Sequence, residues 1–206
     1  MTVSPPHAHS SILTNLLHTL NGSEVPYCIL HGYLGYPEDV PSDVDCLVSG
    51  ELLPRRLALI LDANRKRLDA TLVQWIQHQA SAHYFILARY GGQSPPQFLA
   101  FDASSDYRTS GTSFYRGEQF LTARRFHNGF WVPPSAYEFG YYLAKKITKG
   151  VLTEAHTRRL SELYGQDPSG CAREIDRFWT PASAATAYWR KSTSRGRSSA
   201  CVLARS

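Results

Sequence analysis

Residues 27–48 read YCILHGYLGYPEDVPSDVDCLV, and the organisation of the chain turns on this stretch. The apolar run 27–30 has the character of a short buried strand, and it stops at His31-Gly32. A loop rich in Gly, Pro and acid follows, and Asp43-Val44-Asp45 then runs into apolar Cys46-Leu47-Val48. Side chains at i and i+2 of a strand share a face. Asp43 and Asp45 are therefore expected to project together, with Val44, Cys46 and Val48 turned the other way. Two adjacent carboxylates repel, a cost that folds accept where a cation neutralises them or a proton is shared. Hard oxygen donors of this kind suit Mg²⁺. The alternative is a solvated strand end, with Ser42 and Asp43 acting as local turn acceptors.

Outward from this stretch, the chain alternates helix and strand signals. Ile12, Leu13, Leu16, Leu17 and Leu20 mark a helix over 10–20, capped by Ser10 or Ser11 and ended by Asn21-Gly22. A helix over 53–68 carries the basic cluster Arg55, Arg56, Arg65, Lys66 and Arg67, the pattern of a solvated face. Strands are expected over 71–77, 83–89 and 97–102, the last ending in Asp102. Residues 104–117 read as a loop. Residues 120–126 and 129–132 read as a hairpin turned at Asn128-Gly129. A helix over 136–149 is expected, with Ser135 as its cap and Glu138 completing a capping box. Further helices are expected over 153–164, 171–179 and 182–190.

Composition narrows the class. The 206 residues are 43% hydrophobic, enough for a core. No apolar run approaches the ~20 residues that span a bilayer. The N-terminal residues lack a signal-peptide layout, so a cytoplasmic chain with reduced thiols is expected. The four cysteines and eight histidines show no zinc-ligand spacing. Five of the 22 basic residues fall in 190–206, which holds no acid, so the rest of the chain carries 17 of each sign. The net charge of +5 thus belongs to the tail and gives no reason to expect a nucleic-acid groove in the folded body.

The corner formed by Gly32-Tyr33, nine residues (34–42) and Asp43-Val44-Asp45 resembles the signature of the nucleotidyltransferase (DNA polymerase β-like) superfamily. That signature has a hydrophobe, Gly, then Gly or Ser, a spacer, and Asp-hydrophobic-Asp or Glu. His31 and Tyr33 depart from its first half. Tyr33, Pro37 and Ser42 follow a divergent bacterial branch, the nucleotidyltransferase-like proteins of surface-polysaccharide gene clusters.

The resemblance implies an α/β (α+β) fold, a small mixed sheet with flanking helices followed by a short helical C-terminal region. The boundaries expected along the chain are a disordered N-terminus (1–9), an α/β domain (10–133), a helical region (134–191) and a disordered, Ser/Arg-rich basic tail (192–206). Asp102 stands where the superfamily has its third carboxylate. Asp43, Asp45 and Asp102 are then the candidate catalytic and metal-holding residues, for two Mg²⁺ ions. His31, Gly32, Tyr33, Ser42, Lys145 and Lys149 are candidates for contact with a nucleoside triphosphate. Against this, Lys145 and Lys149 also suit the C-terminal end of a helix dipole. The activity implied is transfer of a nucleotidyl group to a small-molecule acceptor such as a sugar or sugar phosphate. The alternative is a catalytically inert accessory module in which the Tyr33 ring fills the phosphate site.

Overall fold

A computed structural model describes residues 7–40, 42–91, 94–109 and 112–178. The chain forms two compact units, Met1–Val132 and Pro133–Ser206.

The first unit is built on a five-stranded mixed sheet of order β1-β2-β5-β4-β3. The strands are β1 (Tyr27–Ile29), β2 (Val44–Val48), β3 (Thr71–Gln79), β4 (Ala82–Gly91) and β5 (Ser94–Ser104). Only the β2–β5 pair is parallel; the other neighbours are antiparallel. One sheet face is apolar because the strands alternate. Val44, Cys46 and Val48 of β2, Leu99, Phe101 and Ala103 of β5, and Phe85 and Leu87 of β4 are all buried there. They form one core with Ile12, Leu13, Leu16 and Leu20 of α1 (His7–Gly22) and Leu57 and Leu61 of α2 (Arg55–Ala63). Burying a side chain of this size contributes about 1.5–3 kcal/mol, so this layer is what fixes the register of β2 and β5. Cys46, wholly buried, has its thiol pushed well up by desolvation and is a core residue.

The mixed α/β class, with flanking helices and a helical C-terminal region, is as expected. Several local expectations are corrected. Residues 7–9, expected to be disordered, begin α1. Ser11 does not cap that helix; its hydroxyl accepts from Arg89 Nη1 at 2.5 Å. The 53–68 helix is two pieces, α2 and the four-residue α3 (Arg65–Leu68), broken at Asn64. Its basic residues are exposed, as a solvated face should be.

Pro95 and Pro96, which precede the strand expected over 97–102, lie inside β5. Consecutive N–H groups of a strand face opposite edges: one of the two missing donors lies on the side where β2 pairs only with Phe101–Ser104, and the other falls at the irregularity of the β4–β5 ladder between Arg89 and Gly91. The expected loop 104–117 instead contains β6 (Asp106–Thr109) paired with β7 (Thr112–Arg116).

Residues 120–126 are not one strand. They are divided between helix α4 (Gly117–Ala123) and β8 (Arg125–His127), which pairs with β9 (Phe130–Val132) as the Asn128-Gly129 turn predicted. Glu118, Gln119, Leu121 and Ala123 are good helix formers, and their propensity won over the aromatic content. Gly117 opens α4 because a Cβ there would overlap the Ser105 carbonyl. The helix lies against β1 and β2, and Leu47 is buried on that side.

The second unit holds α5 (Ser135–Thr148), α6 (Glu154–Gln166) and α7 (Pro168–Phe178). Phe139, Leu143, Leu160, Leu163, Cys171 and Ile175 make its core. The capping box expected at Ser135 and Glu138 does not form. Ser135 Oγ donates to Gln166 Oε1 at 2.6 Å, and Glu138 is wholly buried against Arg159. The expected helix over 182–190 and the tail 192–206 lie outside the described residues. Among the described residues no helix is long and apolar enough to cross a membrane.

Candidate metal centre

The apolar face of the sheet dictates what its reverse must carry. Asp45 alternates with Val44 and Cys46, so burying those two turns Asp45 to the opposite side, with Asp43 two residues before it. On the adjacent parallel strand Asp102 alternates with Phe101 and Ala103, and its register partner is Asp45. On the other side of β5, Asp102 is paired with Tyr84 of β4. Asp45, Asp102 and Tyr84 therefore form a row across three strands. Each of the three aspartates, Asp43, Asp45 and Asp102, offers a carboxylate oxygen within 4.8 Å of the others, and all three are partly buried.

Each carboxylate has an aromatic partner with a polar edge. Tyr84 Oη donates to Asp43 Oδ2 at 3.3 Å. His31 Nε2 lies 2.9 Å from Asp45 Oδ2, and His78 Nε2 lies 2.9 Å from Asp102 Oδ1. The His78 and Tyr84 rings stack, with centroids 4.3 Å apart.

Burial, reinforced by Asp45 and Asp43, pushes the Asp102 carboxyl above its usual range despite the opposing bond from His78. The Tyr84 hydroxyl is pushed up to about 12, first by burial and then by Asp102 and Asp43. Tyr36, buried on the same unit, is raised by desolvation and then by Asp45 and Asp43. Burial comes first in all three shifts, and the neighbouring acids add to it. Negative charge is concentrated in a partly dry place, which a divalent cation would relieve. Three oxygen donors at this separation are compatible with a divalent cation.

The other candidates are placed as follows. His31 is at the carboxylates, on Asp45. Gly32 is exposed with φ 77°, and a Cβ there would meet nothing within 4 Å, so glycine is needed at this corner for its left-handed backbone and not for space. Ser42 is exposed, and its hydroxyl points at the Asp43 carbonyl at 3.4 Å.

Tyr33 is 1% exposed and packs edge-on against His127 and Phe130, so it presents almost no surface. Lys145 and Lys149 belong to the second unit, where Lys145 Nζ lies over the Tyr141 ring at 5.6 Å and Lys149 ends α5. His78 and Tyr84 went unread in the sequence. Tyr84 carried a usable signal, since alternation on β4 turns it to the face opposite Phe85. His78 carried none, for it sits at a register shift between Gln77 and Gln79 that appears only once the β3–β4 hairpin closes.

By sequence, the chain matches no protein-family profile and no curated protein. By structure, it is similar to a protein described as a "putative nucleotidyltransferase" from H. pylori, at 12% identity over 84% of this chain and 82% of that one, with a TM-score of 0.45. It is also similar to JHP933 from Helicobacter pylori, at 14% identity over 84% and 80% of the two chains, with a TM-score of 0.43. At that level of likeness, function has to be read from the site's own residues.

Proposed function

We propose that this chain is a metal-dependent nucleotidyltransferase that passes a nucleotidyl group from a nucleoside triphosphate to a small-molecule acceptor, a sugar or sugar phosphate of surface-polysaccharide assembly. One observation carries the reading. Asp43, Asp45 and Asp102, brought in at two separate strands, offer oxygens within 4.8 Å of one another on the face of the sheet opposite the Val44 and Phe101 core. The order of a glycine corner, an Asp-x-Asp strand and a later strand of the same sheet bearing a third acid is also what the sequence resemblance implies.

In this reading Asp43 and Asp45 would hold two Mg²⁺ ions, and Asp102 would complete the first of the two sites. The bound ions would supply charge neutralisation on the triphosphate and a lowered pKa for the acceptor hydroxyl. The chain's own residues do the positioning on which such transfer depends. His31 and Tyr84 hold Asp45 and Asp43 in place by one oxygen each. Asp102, whose carboxyl is held above its usual range, is the acid best suited to accept the proton of the attacking hydroxyl. The positive-φ backbone at Gly32 supplies the corner at which phosphates approach the main chain. Lys145 and Lys149 are carried as candidate triphosphate contacts.

Calorimetric titration with ATP, CTP, GTP and UTP, with and without Mg²⁺, tests the proposal. At least one nucleotide should bind only when Mg²⁺ is present, and binding should be lost in Asp43→Ala and Asp45→Ala. Metal-independent binding, or binding unchanged in both variants, would leave only an inert accessory module.

A further inference from the structure

We infer that His78 is a positioning residue of the carboxylate site, fixing Asp102 through a hydrogen bond while its ring is fixed by stacking on Tyr84. The inference rests on the metal-binding reading above and assigns a role to a residue outside its acidic triad.

His78 comes from β3, an edge strand of the sheet. Most of that strand is exposed, including Val73, Trp75 and Ile76. A histidine on such a strand normally faces water. His78, although exposed as a whole residue, places Nε2 2.9 Å from Asp102 Oδ1, with its side chain 26% exposed. A carboxylate can only accept, so Nε2 carries the proton and the imidazole's orientation is set.

Local backbone explains how the ring gets there. β3 and β4 pair regularly through Ile76↔Tyr84 and Gln77↔His83, and then resume at Gln79↔Ala82. His78 is the extra residue of a bulge, a device that re-aims one side chain and is most easily accommodated at an edge. The hairpin end is tied down beyond the site, where Ser105 N donates to Ser81 O at 2.9 Å.

The two rings act as one plate with two polar edges. Tyr84 reaches Asp43 and His78 reaches Asp102, while the rings lie 4.3 Å apart with planes 26° from parallel. Groups of this kind, one bond removed from the metal, typically control metal affinity by 10–100-fold.

The test is titration of the full-length protein with Mn²⁺, following the free aquo ion by electron paramagnetic resonance. His78→Phe keeps a ring on Tyr84 but removes the donor, and should lose about 10–100-fold in affinity. His78→Gln restores a donor within reach of Asp102 and should recover most of that loss. The metal-free melting midpoint should barely move in either variant. His78→Val, suited to an edge strand and lacking both ring and donor, replaces the Phe variant if that fails to fold, and should lose at least as much. Wild-type affinity in the Phe or Val variant, or equal loss in Phe and Gln, overturns the inference and leaves the site reading standing. Absence of Mn²⁺ binding by the wild type overturns both.

Discussion

Asp45 and Asp102 are register partners on the adjacent parallel strands β2 and β5, so two acidic side chains stand next to each other on one face of the sheet. Nothing in the strands themselves favours this. The pairing is imposed by the core on the other side, where Val44, Cys46, Phe101 and Ala103 are wholly buried. A slip of one residue in either strand would bury a carboxylate and expose that set. The fold therefore holds the acids together at the expense of their mutual repulsion.

That repulsion should be measurable as lost stability. Asp102 has a side chain only 14% exposed, as has Asp45, and its carboxyl is raised first by burial and then by Asp45 and Asp43. Asp102→Asn keeps an acceptor for His78 and removes one charge. Metal-free protein carrying it should melt higher than wild type by about 2–4 °C, the shift expected for roughly 1 kcal/mol in a chain of this size. Differential scanning calorimetry in chelator checks this. An unchanged or lower midpoint would mean that the repulsion is already relieved without metal.

Metal should reverse the ranking. A cation that binds only the folded state stabilises it by about 2.7 kcal/mol at a hundred times its dissociation constant. Mg²⁺ or Mn²⁺ should thus raise the wild-type midpoint and leave Asp43→Asn and Asp102→Asn nearly unmoved. Thermal melts across a metal titration read this directly.

Tyr84 contributes a hydroxyl to Asp43 and a ring to His78. Tyr84→Phe removes only the first. Metal affinity should fall by up to about 10-fold, the low end for an outer partner of a ligand, while the far-ultraviolet spectrum and midpoint stay close to wild type. A large drop in stability instead would mean that the hydroxyl serves the fold and not the site.

His83 gives a pH dependence separate from the acids. It is buried on the core side of β4, and desolvation, then His78, holds its imidazole below the usual value of 6.5. The unfolded chain therefore binds the proton more readily. The neutral folded form has its full stability above about pH 6.5, and loses it as pH falls through that value toward the lower folded one. Denaturant midpoints between pH 7.5 and 5 should decline in wild type and decline less in His83→Phe.

In the second unit, Glu138 is 1% exposed and accepts from Arg159 Nε and Nη2 at 2.9 and 2.7 Å. Removing one partner leaves a buried charge. Arg159→Met should destabilise this unit by about 3–5 kcal/mol, read as a lower denaturant midpoint for helical signal.

The parts legible in the sequence were those set by short periods. Alternation put Asp43 and Asp45 on one face and Val44, Cys46 and Val48 on the other, and the 3–4 spacing of Ile12 to Leu20 marked α1. The Asn128-Gly129 turn was legible because its backbone demands those residues, with φ of 45° and 97°. What escaped depended on closure between distant pieces. The bulge at His78 exists only in the β3–β4 ladder. Tyr33, a candidate ligand contact by its motif, packs against His127 and Phe130 of a later hairpin. Glu138 looked like a helix cap until Arg159, on the next helix, supplied a stronger partner.

A crystal soaked in Mn²⁺ and measured at a wavelength where manganese scatters anomalously tests the central claim most directly. A peak bounded by the carboxylates of Asp43, Asp45 and Asp102 is the predicted result. No peak there at saturating metal, with the three side chains ordered, would contradict it.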